Sequence, residues 1–293
     1  MNDTYTISGF TFVRNALKFD YPIIEAITSI LPVCDEFIVN VGKSEDETLD
    51  LIKTINSDKI KIVESVWDET LRTGGHILAL QTDIALSHCT GDWCFYIQAD
   101  EVVHEKYHPV ISASVQKYHP DKRIEGLLFK YLHFYGSYNY VGASRRWYRH
   151  EIRIIRNHCG ISSYMDAQGF RLNNRKLNVK PIDAYVYHYG WVKHPKIQQK
   201  KQRFFNKLWH PDSWIKNHVG DADDYDYHAI DAVQPFTGDH PAVMKHRVES
   251  QDWHVEYDPS ANRLNTPLKH RILNKIENLT GYRIGEYKNF KII

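Results

Sequence analysis

The stretch Gly91-Asp92-Trp93-Cys94-Phe95-Tyr96-Ile97-Gln98-Ala99-Asp100-Glu101 carries an apolar run that stops abruptly at two adjacent carboxylates. Trp93 to Ile97 has no polar alternation, which predicts a strand covered on both faces, and Thr90-Gly91-Asp92 supplies the turn that starts it. Ligands of open α/β sheets gather at the carboxyl ends of such strands. Neighbouring acids near a core repel each other and are costly to bury without a partner, so Asp100 and Glu101 point to a bound cation. A solvated acidic turn is the alternative.

Working back from that strand, Thr6 to Val13 reads as a first strand followed by Arg14-Asn15, and Tyr21-Pro22 opens a helix carrying Ile23, Ile27, Ile30 and Leu31 on one face. Glu36 to Val41 is a second strand. After Gly42-Lys43, the spacing Ser44-x-x-Glu47 has the pattern of a capping box, with a helix expected through Leu49, Ile52 and Ile55. Ile60 to Val66 gives a third strand, and Gly74-Gly75 precedes a helix bearing Ile77, Leu80, Ile84 and Leu86. Four strands alternating with helices predict an α/β fold with a mostly parallel sheet and helices on both faces, its loop ends meeting at one cleft.

Downstream the pattern changes. Gly126 to Phe134 and Trp147 to Ile155 are strand-like and suit antiparallel additions, and Ile182 to Trp191 ends a further strand in Tyr187-His188-Tyr189-Gly190-Trp191. Pro195 to Leu208 reads as a basic helix with Lys196, Lys200, Lys201 and Arg203, a solvated face or a phosphate contact. Residues 210–264 read as loop-rich cover, and a last helix is expected over about Leu268 to Leu279. The division that follows is a main domain over 1–209 and an extension over 210–293 packed on it.

Lys plus Arg (37) nearly balances Asp plus Glu (36), so no global field draws nucleic acid, and any phosphate binding must be local. No apolar run reaches the roughly 18 residues of a membrane span, and the start of the chain lacks a signal-peptide pattern, which makes the cytoplasm the expected location. Cys34, Cys89, Cys94 and Cys159 lack the paired spacing of a zinc site and read as reduced thiols. Gly-x-Gly-x-x-Gly after the first strand, the P-loop pattern, Gly-x-Ser-x-Gly and His-Glu-x-x-His are all absent. What remains is the acidic strand end, His188 at another strand end, and basic residues behind it.

In order, these segments resemble the glycosyltransferase family 2 type of GT-A fold, with residues 6–103 carrying the likeness best. The family's turn after the second strand commonly reads Asp-x-Gly/Ser-Ser-x-Asp-x-Thr, matched by Ser44, Asp46 and Thr48; its Asp-x-Asp is matched by Gln98-Ala99-Asp100, with the first acid replaced. The resemblance implies inverting transfer of a sugar from a nucleotide diphosphate sugar, UDP-linked by expectation, to a glycan or lipid-linked acceptor in polysaccharide assembly. It implies Mn²⁺ or Mg²⁺ held by Asp100 and His188, and a nucleotide flanked by Thr11, Val13, Arg14, Asn40, Gly42, Gln98 and Ala99. Lys200 is the candidate for the diphosphate. Asp166, in the loop Ser162-Ser163-Tyr164-Met165-Asp166-Ala167-Gln168-Gly169, is the candidate base; Glu151 is second, with Arg149 or Arg153 its expected partner. Any membrane contact would be peripheral, at the inner face. Gln98 and Gly42 depart from the family pattern and keep open a non-catalytic protein binding sugar nucleotides or glycans on the same fold.

Overall fold

The computed structural model describes residues 5–68, 70–71, 74–219, 222–228, 230, 232–257 and 268–293. Its first half alternates as the apolar runs require: β1 (Ile7–Val13), α1 (Ile23–Ile30), β2 (Glu36–Gly42), α2 (Thr48–Lys53), β3 (Ile60–Ser65), α3 (His76–Ser87) and β4 (Trp93–Tyr96). There follow β5 (Glu101–Val103), α4 (His108–Tyr118), β6 (Gly126–Tyr135), β7 (Ser137–Gly142), β8 (His150–Arg156), the small strands β9 (Ile161–Tyr164), β10 (Gly169–Leu172) and β11 (Arg175–Lys176), and the long β12 (Asn178–Trp191). The rest comprises α5 (Pro195–Lys207), α6 (Asp212–His218), β13 (Val233–Pro235), α7 (Lys245–Glu249), α8 (Leu268–Thr280) and β14 (Lys291–Ile292).

The fold class is α/β. Strands β3-β2-β1-β4 form a wholly parallel block, and β8, β6, β7 and β13 continue the sheet antiparallel. β12 runs parallel to β6 and antiparallel to β5. β9, β10 and β11 make a separate antiparallel sheet. Alternation along the parallel strands sorts side chains onto two cores: Ile7, Val13, Phe37, Val39, Trp93 and Phe95 meet α1 and α4, while Phe10, Ile38, Cys94 and Tyr96 meet α3. Both faces of the sheet are therefore covered, which is why Trp93 to Tyr96 shows no polar alternation. Because β2 and β3 lie to one side of β1 and β4 to the other, the chain reverses direction across the sheet between β1 and β4. A cleft opens at their carboxyl ends.

The expected capping box does not form. The Ser44 hydroxyl accepts from the Asn15 amide (3.0 Å) and donates to the Gly42 carbonyl (2.9 Å), and Asp46 accepts from the Thr48 amide at 3.1 Å, so α2 starts at Thr48. The turn's side chains are drawn instead to the loop after β1: the Thr48 hydroxyl accepts from the Ala16 amide (2.7 Å), Asp46 from the Lys18 amide (2.7 Å), and Asn15 Oδ1 from the Glu45 amide (2.7 Å). This clamp fixes the loop that leads out of the cleft.

Within residues 210–257 short elements replace a plain loop, and 258–264 of that expected stretch lie outside the described residues. β13 pairs with β7, and Arg247 binds Asp20 (2.6 Å) and Glu25 (2.7 Å), tying α7 to the first loop and to α1. β14 pairs with the start of β12. Among the described residues no helix is long and apolar enough to cross a membrane.

Candidate active site

A cavity of about 370 Å³ fills the cleft. Val13 and Arg14 reach it from the end of β1, Gln98, Ala99 and Asp100 from the end of β4, and His188 and Trp191 from β12; Asp166 and Gln168 line it as well, in the loop that Gln98 reaches through the Ala167 carbonyl at 3.3 Å. Arg14 lies over Trp67 (5.5 Å to the ring centroid) and beside Phe204 (6.0 Å), giving one end of the cavity an aromatic and cationic character suited to a flat base and its phosphates.

The floor rests on a buried ion pair. Glu101 and Arg153 have 0% side-chain exposure; Arg153 Nε and Nη2 donate to the two carboxylate oxygens at 2.8 and 2.7 Å, and Tyr131 adds a hydroxyl donor at 2.7 Å. The Gln98 amide also donates to Glu101, at 3.0 Å. With its lone pairs committed, Glu101 is a brace for the Gln98–Asp100 turn, while Asp100 alone faces the cavity.

Register explains how Asp100 and His188 meet: β12 places His188 opposite Glu101 of β5 on one side and His133 of β6 on the other. His133 Nε2 lies 2.8 Å from the Tyr148 carbonyl, which only accepts, and burial pushes the His133 pKa well down; its Nδ1 is then an acceptor, 3.2 Å from His188 Nδ1. His188 must donate there. Burial lowers its pKa too, so the neutral ring turns a bare Nε2 toward Asp100 Oδ1 at 3.7 Å. Asp100 stays ionised: burial alone would raise its pKa, but the Lys201 ammonium 3.1 Å away, together with Lys193, holds it well below the usual range.

Two acceptors facing each other leave a position for something positive. A carboxylate oxygen and an imidazole nitrogen suit Mn²⁺ or Mg²⁺ when a substrate's phosphates supply further oxygens. Gly190 keeps the place open, since a methyl on its Cα would fall 2.6 Å from His188 Nε2 and 2.7 Å from Asp100 Oδ2. The residues present therefore fit such an ion, as a two-ligand set: among the described residues no group of three His, Cys, Asp or Glu gathers to hold one.

Other expected site residues are placed differently. Thr11 is fully buried in β1, and Asn40 is turned into the core, where its amide donates to the Gln81 backbone and side chain (2.8 and 3.0 Å). Neither lines the cavity, because both point to a covered face of the sheet. Gly42 stands behind the wall; a methyl there would meet Trp67 Nε1 at 2.3 Å, so its bareness seats the aromatic that lines the cavity. Lys200 is exposed on α5, and the next residue, Lys201, is the one turned inward.

Asp166 lines the cavity between two residues of left-handed backbone, Met165 (φ 53°) and Ala167 (φ 63°), and burial raises its pKa. Gly75, at the start of α3, makes room for it: a methyl there would lie 3.0 Å from Asp166 Cβ. Glu151 sits one cavity away and has neither expected partner, since Arg153 is taken by Glu101 and Arg149 by Glu286 (2.8 Å). Its Oε2 is buried without a hydrogen-bond partner, and burial pushes its pKa up to about 8. At neutral pH it is protonated and poorly suited to accept a proton.

A testable consequence follows for stability. Between the ordinary carboxyl value of 4.5 and about 8, folded Glu151 holds a proton that the unfolded chain has released, so its contribution falls as pH rises through that window. Glu151→Gln should remove the loss, its melting temperature moving above that of the unmodified protein as pH goes from 5 to 8. Equal pH profiles for the two would show that Glu151 is ionised when folded.

No protein-family model matches the chain, and no curated protein does. Among solved structures, S. aureus TarS 1–349 in complex with UDP is 20% identical, covering 45% of this chain and 37% of that one, with a TM-score of 0.34. The mannosyltransferase PcManGT from Pyrobaculum calidifontis, in complex with GDP-Man and Mn²⁺, is 20% identical over 42% of this chain and 35% of its own, TM-score 0.32. Glucosyl-3-phosphoglycerate synthase from Mycobacterium tuberculosis, with Mn²⁺, UDP and phosphoglyceric acid, is 23% identical over 44% and 43%, TM-score 0.30. The chain spans under half the length of each of these three.

Proposed function

We propose that the chain transfers a sugar from a nucleotide diphosphate sugar, UDP-linked, to a hydroxyl of a glycan or lipid-linked acceptor, with inversion. The observation that carries this reading is one cavity at the β1–β4 switch point lined by Asp100, His188 and Arg14 together with a further carboxylate, Asp166. The acceptor oxygen attacks the anomeric carbon and gives its proton to Asp166; the bond to the β-phosphate oxygen breaks, and its electron pair leaves with the diphosphate. A divalent ion bound by Asp100 and His188 would supply Lewis-acid neutralisation of that charge. Arg14 and Trp67 hold the nucleotide, and Gln98, tied by its amide to the Ala167 carbonyl at 3.3 Å, links the donor floor to the Asp166 loop.

Thermal melts with UDP, GDP and dTDP and their sugars, each with Mn²⁺ or Mg²⁺, test the reading. One nucleotide class should stabilise the protein by about 2.7 kcal/mol at a hundred times its Kd. Slow release of free nucleotide from that donor separates transfer from mere binding. No stabilisation by any of the three classes would remove the reading.

A further inference from the structure

Lys201 is half of an arrangement that the ion pocket does not need for its own geometry. Its Nζ donates to Asp100 Oδ2 at 3.1 Å and to the Gly190 carbonyl at 2.9 Å, lies 5.0 Å from the Tyr21 ring centroid, and the residue is only 8% exposed. The helix that carries it is fixed at its start by Pro195 and by His194, whose side chain accepts from the Lys196 amide, and packs Phe204 on Phe19 (4.8 Å). The ammonium is thus a built-in partner of Asp100, placed on one oxygen while the other faces His188.

The charge count in the resting pocket is then decisive. Asp100 brings one negative charge, the Lys201 ammonium 3.1 Å away cancels it, and Gln98, two residues before Asp100, is uncharged. Apart from Asp166 elsewhere on the cavity, no uncompensated acid is left among its described lining residues to hold a doubly charged ion stripped of its water. A diphosphate reverses the balance, because its oxygens complete the coordination and its charge answers both the ion and the lysine. An ammonium has three N–H donors, two of which are used here, which leaves the third for another acceptor.

We propose that Lys201 makes ion binding conditional on the nucleotide: the divalent ion is retained only together with a nucleoside diphosphate, and Lys201 is both the group that excludes the ion alone and a fixed positive charge on the diphosphate. This rests on the functional reading above for its ligand. The experiment is titration of Mn²⁺ into the full chain, followed by electron paramagnetic resonance of the free ion, without nucleotide and with UDP, GDP or dTDP.

The unmodified protein should take up Mn²⁺ at least ~10-fold more tightly with the matching nucleotide than without it. Lys201→Met should hold Mn²⁺ alone ~10-fold more tightly than the unmodified protein does, while its affinity for the nucleotide falls by a similar factor; Lys201→Arg should keep the original order. Gln98→Asp, which leaves the lysine in place, should also admit Mn²⁺ alone, and serves if Lys201→Met does not fold. Equal Mn²⁺ uptake with and without nucleotide would overturn the proposal, as would unchanged Mn²⁺ affinity in both Lys201→Met and Gln98→Asp. If no nucleotide binds under any condition, the functional reading fails and the proposed conditionality with it.

Discussion

Replacing Arg153 with methionine is expected to cost the fold about 3–5 kcal/mol, the usual scale for removing one partner of a fully buried ion pair. The methionine fills much of the same space, so packing is not the main loss. What remains is the Glu101 carboxylate at 0% exposure, with one tyrosine hydroxyl and one backbone amide to answer its charge. Arg153 also donates to the Gln168 and Ile152 carbonyls, both at 3.0 Å, and these lose a donor at the same time. Urea denaturation should show a midpoint far below that of the unmodified protein with a similar slope. The double variant Glu101→Gln with Arg153→Met should recover much of the loss, because the cost lies in the stranded charge. A single variant as stable as the unmodified protein would mean that water reaches Glu101 and that the brace under Asp100 is weaker than its geometry implies.

Asp166→Asn should lower transfer by ~10²-fold or more while donor affinity stays within about twofold, since the change removes a proton acceptor and leaves shape and hydrogen bonding nearly intact. The raised pKa of Asp166 also sets the direction of the pH effect: activity should fall on acidification at a pH above that of an ordinary aspartate, as the base becomes protonated. Single-turnover rates with the matching donor, measured from pH 4 to 8, check both points. Glu151→Gln is the control, because a residue already protonated at neutral pH should cost little rate when made permanently neutral. Near-normal transfer by Asp166→Asn would remove that residue from the role.

The sequence disclosed the scaffold better than the orientation of polar side chains. Trp93 to Tyr96 and the strands around it were legible because apolar runs bounded by turn residues have few other uses in a folded chain. The phase of α5 was missed although Ile197, Phe204, Phe205 and Leu208 fall at i, i+7, i+8 and i+11, a stripe that takes in Lys201 at i+4 and leaves Lys200 outside; its buried positions Gln198, Gln199 and Lys201 are polar and mask it. Asn40 failed for a related reason, since a strand buried on both sides gives a polar residue no solvent face by which to recognise its direction. The bond between Glu101 and Arg153 joins residues 52 positions apart. The Arg149-x-x-x-Arg153 pattern around Glu151 suggested a local pairing that the tertiary structure replaced, because Glu101 offers Arg153 two oxygens at once.

The contact between Lys201 and Asp100 spans 101 residues of chain, and it closes the same cavity that β1 and β4 open. β1 pairs with β2 across 28 residues (Ser8 with Glu36) and β2 with β3 across 23 (Phe37 with Ile60), far shorter closures, so that part of the parallel block can assemble before the Lys201 contact exists. During refolding from urea, sheet content should therefore return ahead of the capacity to retain a nucleotide. An interval of native-looking but ligand-blind protein separates the two, and its duration reports how fast a single helix finds its seat.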